Sequence, residues 1–104
     1  MIRGEAFRLR VPRGTRDSEQ RARYAVVVQA DELLALSTVL VSPTSTAAPA
    51  RSFRPRIELE GVPTRILVEQ TTAVSPDRLG ESVGRLSASE LHDLDAALAL
   101  VFGL

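Results

Sequence analysis

Arg23 and the run Thr44-Ser45-Thr46 are the residues best placed to do chemistry. Arg23 stands where an arginine-rich segment meets the apolar run Ala25-Val26-Val27-Val28. The hydroxyl triplet follows a second apolar run, Thr38 to Ser42, and Pro43. Residues at strand ends are held firmly while still reaching solvent, and neighbouring strands bring Arg23 and Thr44 close together. A planar, permanently charged guanidinium beside a hydroxyl can bind a phosphate. Residue types alone leave a second reading open, in which Arg23 is a solvated charge and Thr44-Ser45-Thr46 a turn.

Other chemistries have little material. The chain has no cysteine, so thiolate zinc sites and disulfides are excluded, and a reducing, cytoplasmic setting is expected. The single histidine, His92, follows Leu91 on an expected helix and reads as a surface or interface residue. A Ser-His-Asp triad would draw on Asp93 or Asp95, but close neighbours on one helix point in different directions. No acidic or histidine cluster has ligand spacing, and no glycine-rich phosphate loop is present, so neither metal nor cofactor is expected. The 104 residues suit one domain, 1–104. Met1-Ile2-Arg3-Gly4-Glu5 lacks the apolar core of a signal peptide, and no stretch is long enough to cross a bilayer.

The formal net charge is zero, but it is unevenly spread. Residues 1–23 carry Arg3, Arg8, Arg10, Arg13, Arg16, Arg21 and Arg23 against Glu5, Asp17 and Glu19. Residues 77–104 carry Arg78 and Arg85 against Asp77, Glu81, Glu90, Asp93 and Asp95. A basic N-terminal third can serve as a phosphate footprint in a neutral chain, although a mixed, solvated surface has the same composition.

The elements that must position these residues follow from periodicity. Phe7, Leu9 and Val11 alternate with Arg8 and Arg10, predicting a strand over about 5–11. Pro12 to Arg21 reads as an exposed loop. Tyr24 to Gln29 suits a strand buried on both faces, and Asp31 to Leu36 a short helical turn. Thr38 to Ser42 reads as a buried strand stopped by Pro43, with a second long loop over 44–55. Arg56 to Glu60 alternates as an edge strand, Gly61-Val62-Pro63 turns the chain, and Arg65 to Thr71 forms the next strand, with Ile66 and Val68 on one face and Leu67 on the other. Ser75-Pro76-Asp77-Arg78 has a one-turn helix signature, and Glu81 to Leu86 is a short strand. Ser87 and Glu90 form a capping box ahead of the apolar stripe Leu91, Leu94, Leu98 and Val101, predicting a helix over 88–101. The expected fold is mainly β: a small antiparallel barrel with a C-terminal helix, and a binding surface where the two long loops meet.

Five segments, in order, resemble the MazF/PemK family of toxins from toxin–antitoxin systems. Arg3-Gly4-Glu5 resembles its opening R-G-[DE]. Ser18-Glu19-Gln20 followed by Arg23 resembles the loop leading into its catalytic arginine. Val39-Leu40-Val41-Ser42-Pro43-Thr44-Ser45 resembles the strand ending in P-[IL]-T-S. Ile66-Leu67-Val68-Glu69-Gln70 resembles its L-x-[DEN]-Q segment, and Ser82-Val83-Gly84-Arg85-Leu86-Ser87 its closing strand and helix. The resemblance implies an SH3-like barrel, a homodimer, and a metal-independent, sequence-selective endoribonuclease held inactive by a cognate antitoxin; the arginine-rich segment 13–23 suits an acidic antitoxin tail that folds on binding. It implies cleavage of single-stranded RNA by its own 2′-OH, leaving a cyclic phosphate and a 5′-OH. Arg23 and Thr44 take the catalytic places. Arg13, Arg16, Ser18, Glu19, Gln20, Arg21, Tyr24, Ser45 and Gln70 take RNA-binding ones.

Three positions depart from the family pattern. Asp17 replaces a glycine in a loop one residue short, Tyr24 replaces the proline after the catalytic arginine, and Thr72 stands where many members carry arginine. These bear on the RNA loop and on cut-site preference. Tyr24 reads equally as a base-stacking platform or a core strand aromatic. Two alternatives share the fold. The ending Phe102-Gly103-Leu104 resembles that of a CcdB-like gyrase poison but lacks its tryptophan. A non-enzymatic SH3-like binding module needs an aromatic groove, for which one Tyr and three Phe are little material.

Overall fold

A computed structural model describes residues 1–10 and 23–104. The expected loop 12–21, with Arg13, Arg16, Ser18, Glu19, Gln20 and Arg21, lies outside the described residues. The strands are β1 (Glu5–Leu9), β2 (Tyr24–Val27), β3 (Val39–Ser45), β4 (Arg56–Leu59), β5 (Val62–Ile66), β6 (Thr72–Val74) and β7 (Leu79–Arg85), followed by the helix α1 (Ala88–Phe102). They form an antiparallel sheet in the order β4-β5-β3-β2-β1-β7, with β6 joined to β3. The sheet curls, and α1 packs inside the curl, as a barrel with a closing helix requires.

Alternation along β2 fills both sides of this sheet. Val26 and Val28 join Ala6, Ile57, Ile66 and Val68 against Leu94 and Ala97 of α1. Ala25 and Val27 face the other way, onto Val39, Val41 and Leu79, with Phe7, Leu34 and Val74 around them. The expectation of a strand buried on both faces therefore holds. The capping box is formed: Ser87 Oγ accepts from the Glu90 N–H at 3.1 Å and Glu90 Oε1 accepts from the Ser87 N–H at 2.9 Å. Glu90 Oε2 also accepts the Glu58 N–H at 3.0 Å, tying the helix start to β4. Gly4, at φ 88°, lies so close to α1 that a Cβ there would stand 2.8 Å from Leu91 Cδ2.

Besides an unexpected strand at Thr72–Val74 and shifts of a few residues at other strand ends, three differences from expectation bear on the site, and two turn on proline. Pro43 does not stop β3, which runs on to Ser45. The Val28 N–H bonds to the Leu40 carbonyl, so alternation aims the amides of even-numbered β3 residues at β2. The nitrogen of Pro43 faces the opposite edge, where β3 passes from pairing β6 (Val39 to Val41) to pairing β5 (Thr44 and Ser45). No ladder bond is lost at that switch. Pro63 lies within β5 and not in a turn. The turn is Glu60-Gly61, both at positive φ (52° and 78°), between the paired residues Leu59 and Val62. A two-residue hairpin of this kind aims Val62 and Thr64 at β4 and leaves the nitrogen of Pro63 on the open edge.

The third difference is the expected strand 65–71. It is the end of β5 followed by a 3-10 turn, Val68–Gln70. Val68 still enters the same core as Ile66, so the inward face was legible but the backbone was not. The predicted turns near 31–36 and 76–78 are 3-10 turns at Asp31–Leu33 and Pro76–Arg78, and Ser75 makes no side-chain cap bond.

Candidate functional site

β2 and β3 run antiparallel with Ala25 opposite Pro43, which places Tyr24 beside Thr44 and carries Arg23 to the same end of the sheet. Thr44 Oγ1 lies 3.4 Å from the Tyr24 carbonyl, a long contact that leaves the hydroxyl available to a better partner. The Arg23 carbonyl accepts the Leu9 N–H at 2.8 Å, so the base of this arginine is anchored while its side chain is exposed. Among the described residues no carboxylate pairs with it.

These residues line one groove of about 440 Å³ at the mouth of the curled sheet. Arg23, Tyr24, Thr44, Ser45 and Gln70, five of the residues singled out by sequence, all line it. Arg13, Arg16, Ser18, Glu19, Gln20 and Arg21 lie outside the described residues. The groove also takes Leu59, Val62 and Thr64 from the β4–β5 hairpin, which the sequence reading passed over as an edge strand and a turn. The alternation of Val62, Thr64 and Ile66 was the available signal.

Gln70 is placed by a chain of hydroxyls beneath it. Thr71 Oγ1 donates to the Val68 carbonyl at 2.7 Å, and the fully buried Ser42 lies 2.6 Å from Thr71 Oγ1. The Leu67 N–H reaches the Pro43 carbonyl at 2.8 Å, fastening the same turn to β3. Beside it, Arg54 donates from Nε and Nη2 to Glu69 Oε2 at 2.9 and 2.6 Å. Those hydrogen bonds hold the Glu69 carboxyl below its ordinary range, against a smaller opposing effect of burial. Arg65 Nη1 donates to the Arg54 carbonyl at 3.1 Å and the Ile66 N–H to the Pro55 carbonyl at 3.0 Å, so the far end of the second loop is tied down.

The Tyr24 ring is braced from outside. The Arg8 guanidinium sits 5.4 Å from its centroid and is held by Glu60 at 3.2 and 3.4 Å. His92 is exposed on α1 and takes no part in the groove. Among the described residues no three His, Asp or Glu side chains gather as a metal site would need. No described helix is long and apolar enough to cross a membrane.

A groove with an arginine, four Ser and Thr hydroxyls, a tyrosine and an amide on apolar walls can bind an anionic, partly aromatic chain. Solved structures with the same fold include a mycobacterial endoribonuclease in complex with its cognate antitoxin, at a TM-score of 0.83 and 16% identity, covering 100% of this chain and 96% of that one. The Mycobacterium tuberculosis toxin MazF-mt6 superimposes with a TM-score of 0.78 at 18% identity, over 96% of this chain and 97% of that one. A MazE–MazF complex from Deinococcus radiodurans gives 0.77 at 17% identity, over 100% and 96%. In sequence, a candidate toxin of Mycobacterium tuberculosis is 34% identical over 105 residues, covering 100% of this chain and 99% of its own length. Residues 2–102 match the family model of PemK-like, MazF-like toxins. The chain belongs to that family of toxins of type II toxin–antitoxin systems.

Proposed function

We propose that the protein is a sequence-selective endoribonuclease that cuts single-stranded RNA without a metal, using Arg23 and Thr44. The observation that carries this reading is the convergence of Arg23, Tyr24, Thr44, Ser45 and Gln70 on one groove in a chain of this toxin family. Structures of the same fold that are endoribonucleases, one with its antitoxin, support it further.

In this reading the 2′-oxygen of the RNA forms a bond to the adjacent phosphorus as the bond to the 5′-oxygen breaks. The 2′-proton passes to solvent and the departing 5′-oxygen takes one up, leaving a cyclic phosphate and a 5′-OH. The phosphorane-like transition state of this displacement carries extra negative charge. A guanidinium already in position stabilises it as an oxyanion hole would. Arg23 does this work electrostatically, since arginine keeps its proton. The Thr44 hydroxyl donates to a non-bridging oxygen, exchanging its long contact to the Tyr24 carbonyl for a shorter one. Tyr24 offers a stacking face, Ser45 and Gln70 polar contacts, and the arginines of 13–21 a phosphate track.

The toxin acts as a homodimer in the cytoplasm. Gln29, bonded to the Leu33 carbonyl and the Leu40 N–H, gathers a segment on which Leu33, Leu36 and Leu40 are all exposed, and self-association covers such apolar surface. Its antitoxin presents an acidic tail that folds over the arginine-rich segment and blocks Arg23. The test is a long single-stranded RNA incubated in EDTA with the wild type, Arg23→Ala and Thr44→Ala. Discrete cuts with 5′-hydroxyl ends are expected, reduced about 10²–10³-fold in each variant. A folded wild type that leaves several RNAs intact, or variants that cut as fast, overturns the assignment.

A further inference from the structure

Thr64 holds the one buried side-chain polar atom that is left without a hydrogen-bond partner among the described residues. The residue is only 6% exposed, yet it lines the groove. Buried hydroxyls are nearly always paired, and an orphan at the edge of a binding groove points to a partner that arrives with the ligand. Its position on β5 supports this. Val62, Thr64 and Ile66 share one face; Ile66 is sealed in the core and Val62 is 51% exposed, so Thr64 marks the floor between them.

We infer that the groove contains a nucleobase seat, walled by Tyr24, Leu59 and Val62, in which the Thr64 hydroxyl reads one polar edge of the base. This rests on the ribonuclease reading and extends it to a specificity-determining residue. Leu59 and Val62 give apolar walls and the Tyr24 ring a flat one, as a base face requires. Arg8 lies over the Tyr24 ring and is itself fixed by Glu60, so the ring is oriented before RNA arrives. Glu60 reaches Arg8 from a left-handed backbone position, φ 52°, at the tip of the β4–β5 hairpin that supplies the opposite wall. Thr44 pairs with Ile66 across the sheet, and Thr64 lies two residues further along β5, about 7 Å. A phosphate held at Arg23 and Thr44 therefore leaves its base within reach of Thr64. With one hydroxyl able to donate or accept, the seat discriminates by a single hydrogen bond among bases that all fit its walls.

The experiment compares wild type, Thr64→Val and Thr64→Ser for equilibrium binding to a panel of short 2′-O-methyl RNAs differing at one base, which cannot be cleaved, and maps cuts on one long RNA. The wild type should prefer one base at a single position. Thr64→Val should weaken that preference by about 3- to 10-fold and widen the cleavage motif at the same position, with no fall in melting temperature. Thr64→Ser should retain the preference. Cutting by the wild type with an unchanged motif in Thr64→Val overturns the seat and leaves the nuclease standing, as does equal binding of every base by the wild type. A wild type that neither binds the panel nor cuts RNA removes both.

Discussion

Thr71→Val tests how the Gln70 side of the groove is held. Thr71 has one hydroxyl proton and donates it to the Val68 carbonyl, so the proton in the 2.6 Å contact with Ser42 comes from Ser42. Valine keeps the shape and removes both hydrogen bonds. The Val68 carbonyl keeps the Thr71 N–H at 3.2 Å, which limits that loss to about 1 kcal/mol. Ser42, at 0% exposure, is left with a buried hydroxyl and no acceptor, at a further cost of about 1–3 kcal/mol. Thr71→Val should therefore destabilise the fold by about 2–4 kcal/mol, a fall of at least about 8 °C in melting temperature. Ser42→Ala should cost only about 1 kcal/mol, because Thr71 keeps its bond to Val68. The double variant has no orphan hydroxyl and should cost no more than Thr71→Val alone. Urea unfolding of the four proteins, compared by midpoint at constant slope, measures this directly. Additivity of the two single effects to within about 0.5 kcal/mol would refute the coupled chain. With Gln70 loosened, RNA cleavage by Thr71→Val should show a raised KM more than a lowered kcat.

Two further perturbations address the scaffold. Ser87→Ala removes the acceptor of the Glu90 N–H and should cost about 1 kcal/mol in thermal unfolding while leaving RNA cleavage at permissive temperature unchanged. Glu69 is held below its reference value of 4.5 by the hydrogen bonds from Arg54. A depressed folded-state value contributes stability that is fully present above about pH 4.5 and is lost as pH falls through the folded value. Its side chain is 27% exposed, so the contribution is a few tenths to about 1 kcal/mol. The stability difference between wild type and Glu69→Gln should stay constant from pH 6 to 8 and shrink below pH 4.5; a difference that grows on acidification contradicts the pairing.

The parts of the fold written in side-chain pattern were legible in the sequence. The S-x-x-E box and leucine stripe define α1, and the valine run defines a strand buried on both faces. What escaped was information held by partners. Pro43 and Pro63 read as breaks because a lone strand does not reveal which edge each amide faces; the pairing of β3 with β6 and then β5, and the hairpin register of β4 and β5, make both prolines harmless. Leu67 to Thr71 has strand composition, but the hydroxyl chain from Ser42 through Thr71 to Val68 closes it into a 3-10 turn. Arg23, Tyr24, Thr44, Ser45 and Gln70, which line one groove, could be singled out from sequence because they lie at the ends of readable strands or in segments resembling a known family. Arg8, Glu60 and Thr64 were missed because their roles exist only once β1, β2 and the hairpin meet around Tyr24.

The proposed reaction requires the RNA's own 2′-hydroxyl to be the nucleophile at the Arg23–Thr44 groove. The measurement is cleavage, in EDTA, of a short single-stranded RNA carrying the mapped site, beside the same strand with one 2′-deoxy nucleotide on the 5′ side of the cut. The all-ribose strand should be cut to a cyclic phosphate and a 5′-hydroxyl, and the singly substituted strand should bind but remain whole. Cutting of the deoxy-substituted strand, or cutting that stops when EDTA is added, would contradict it.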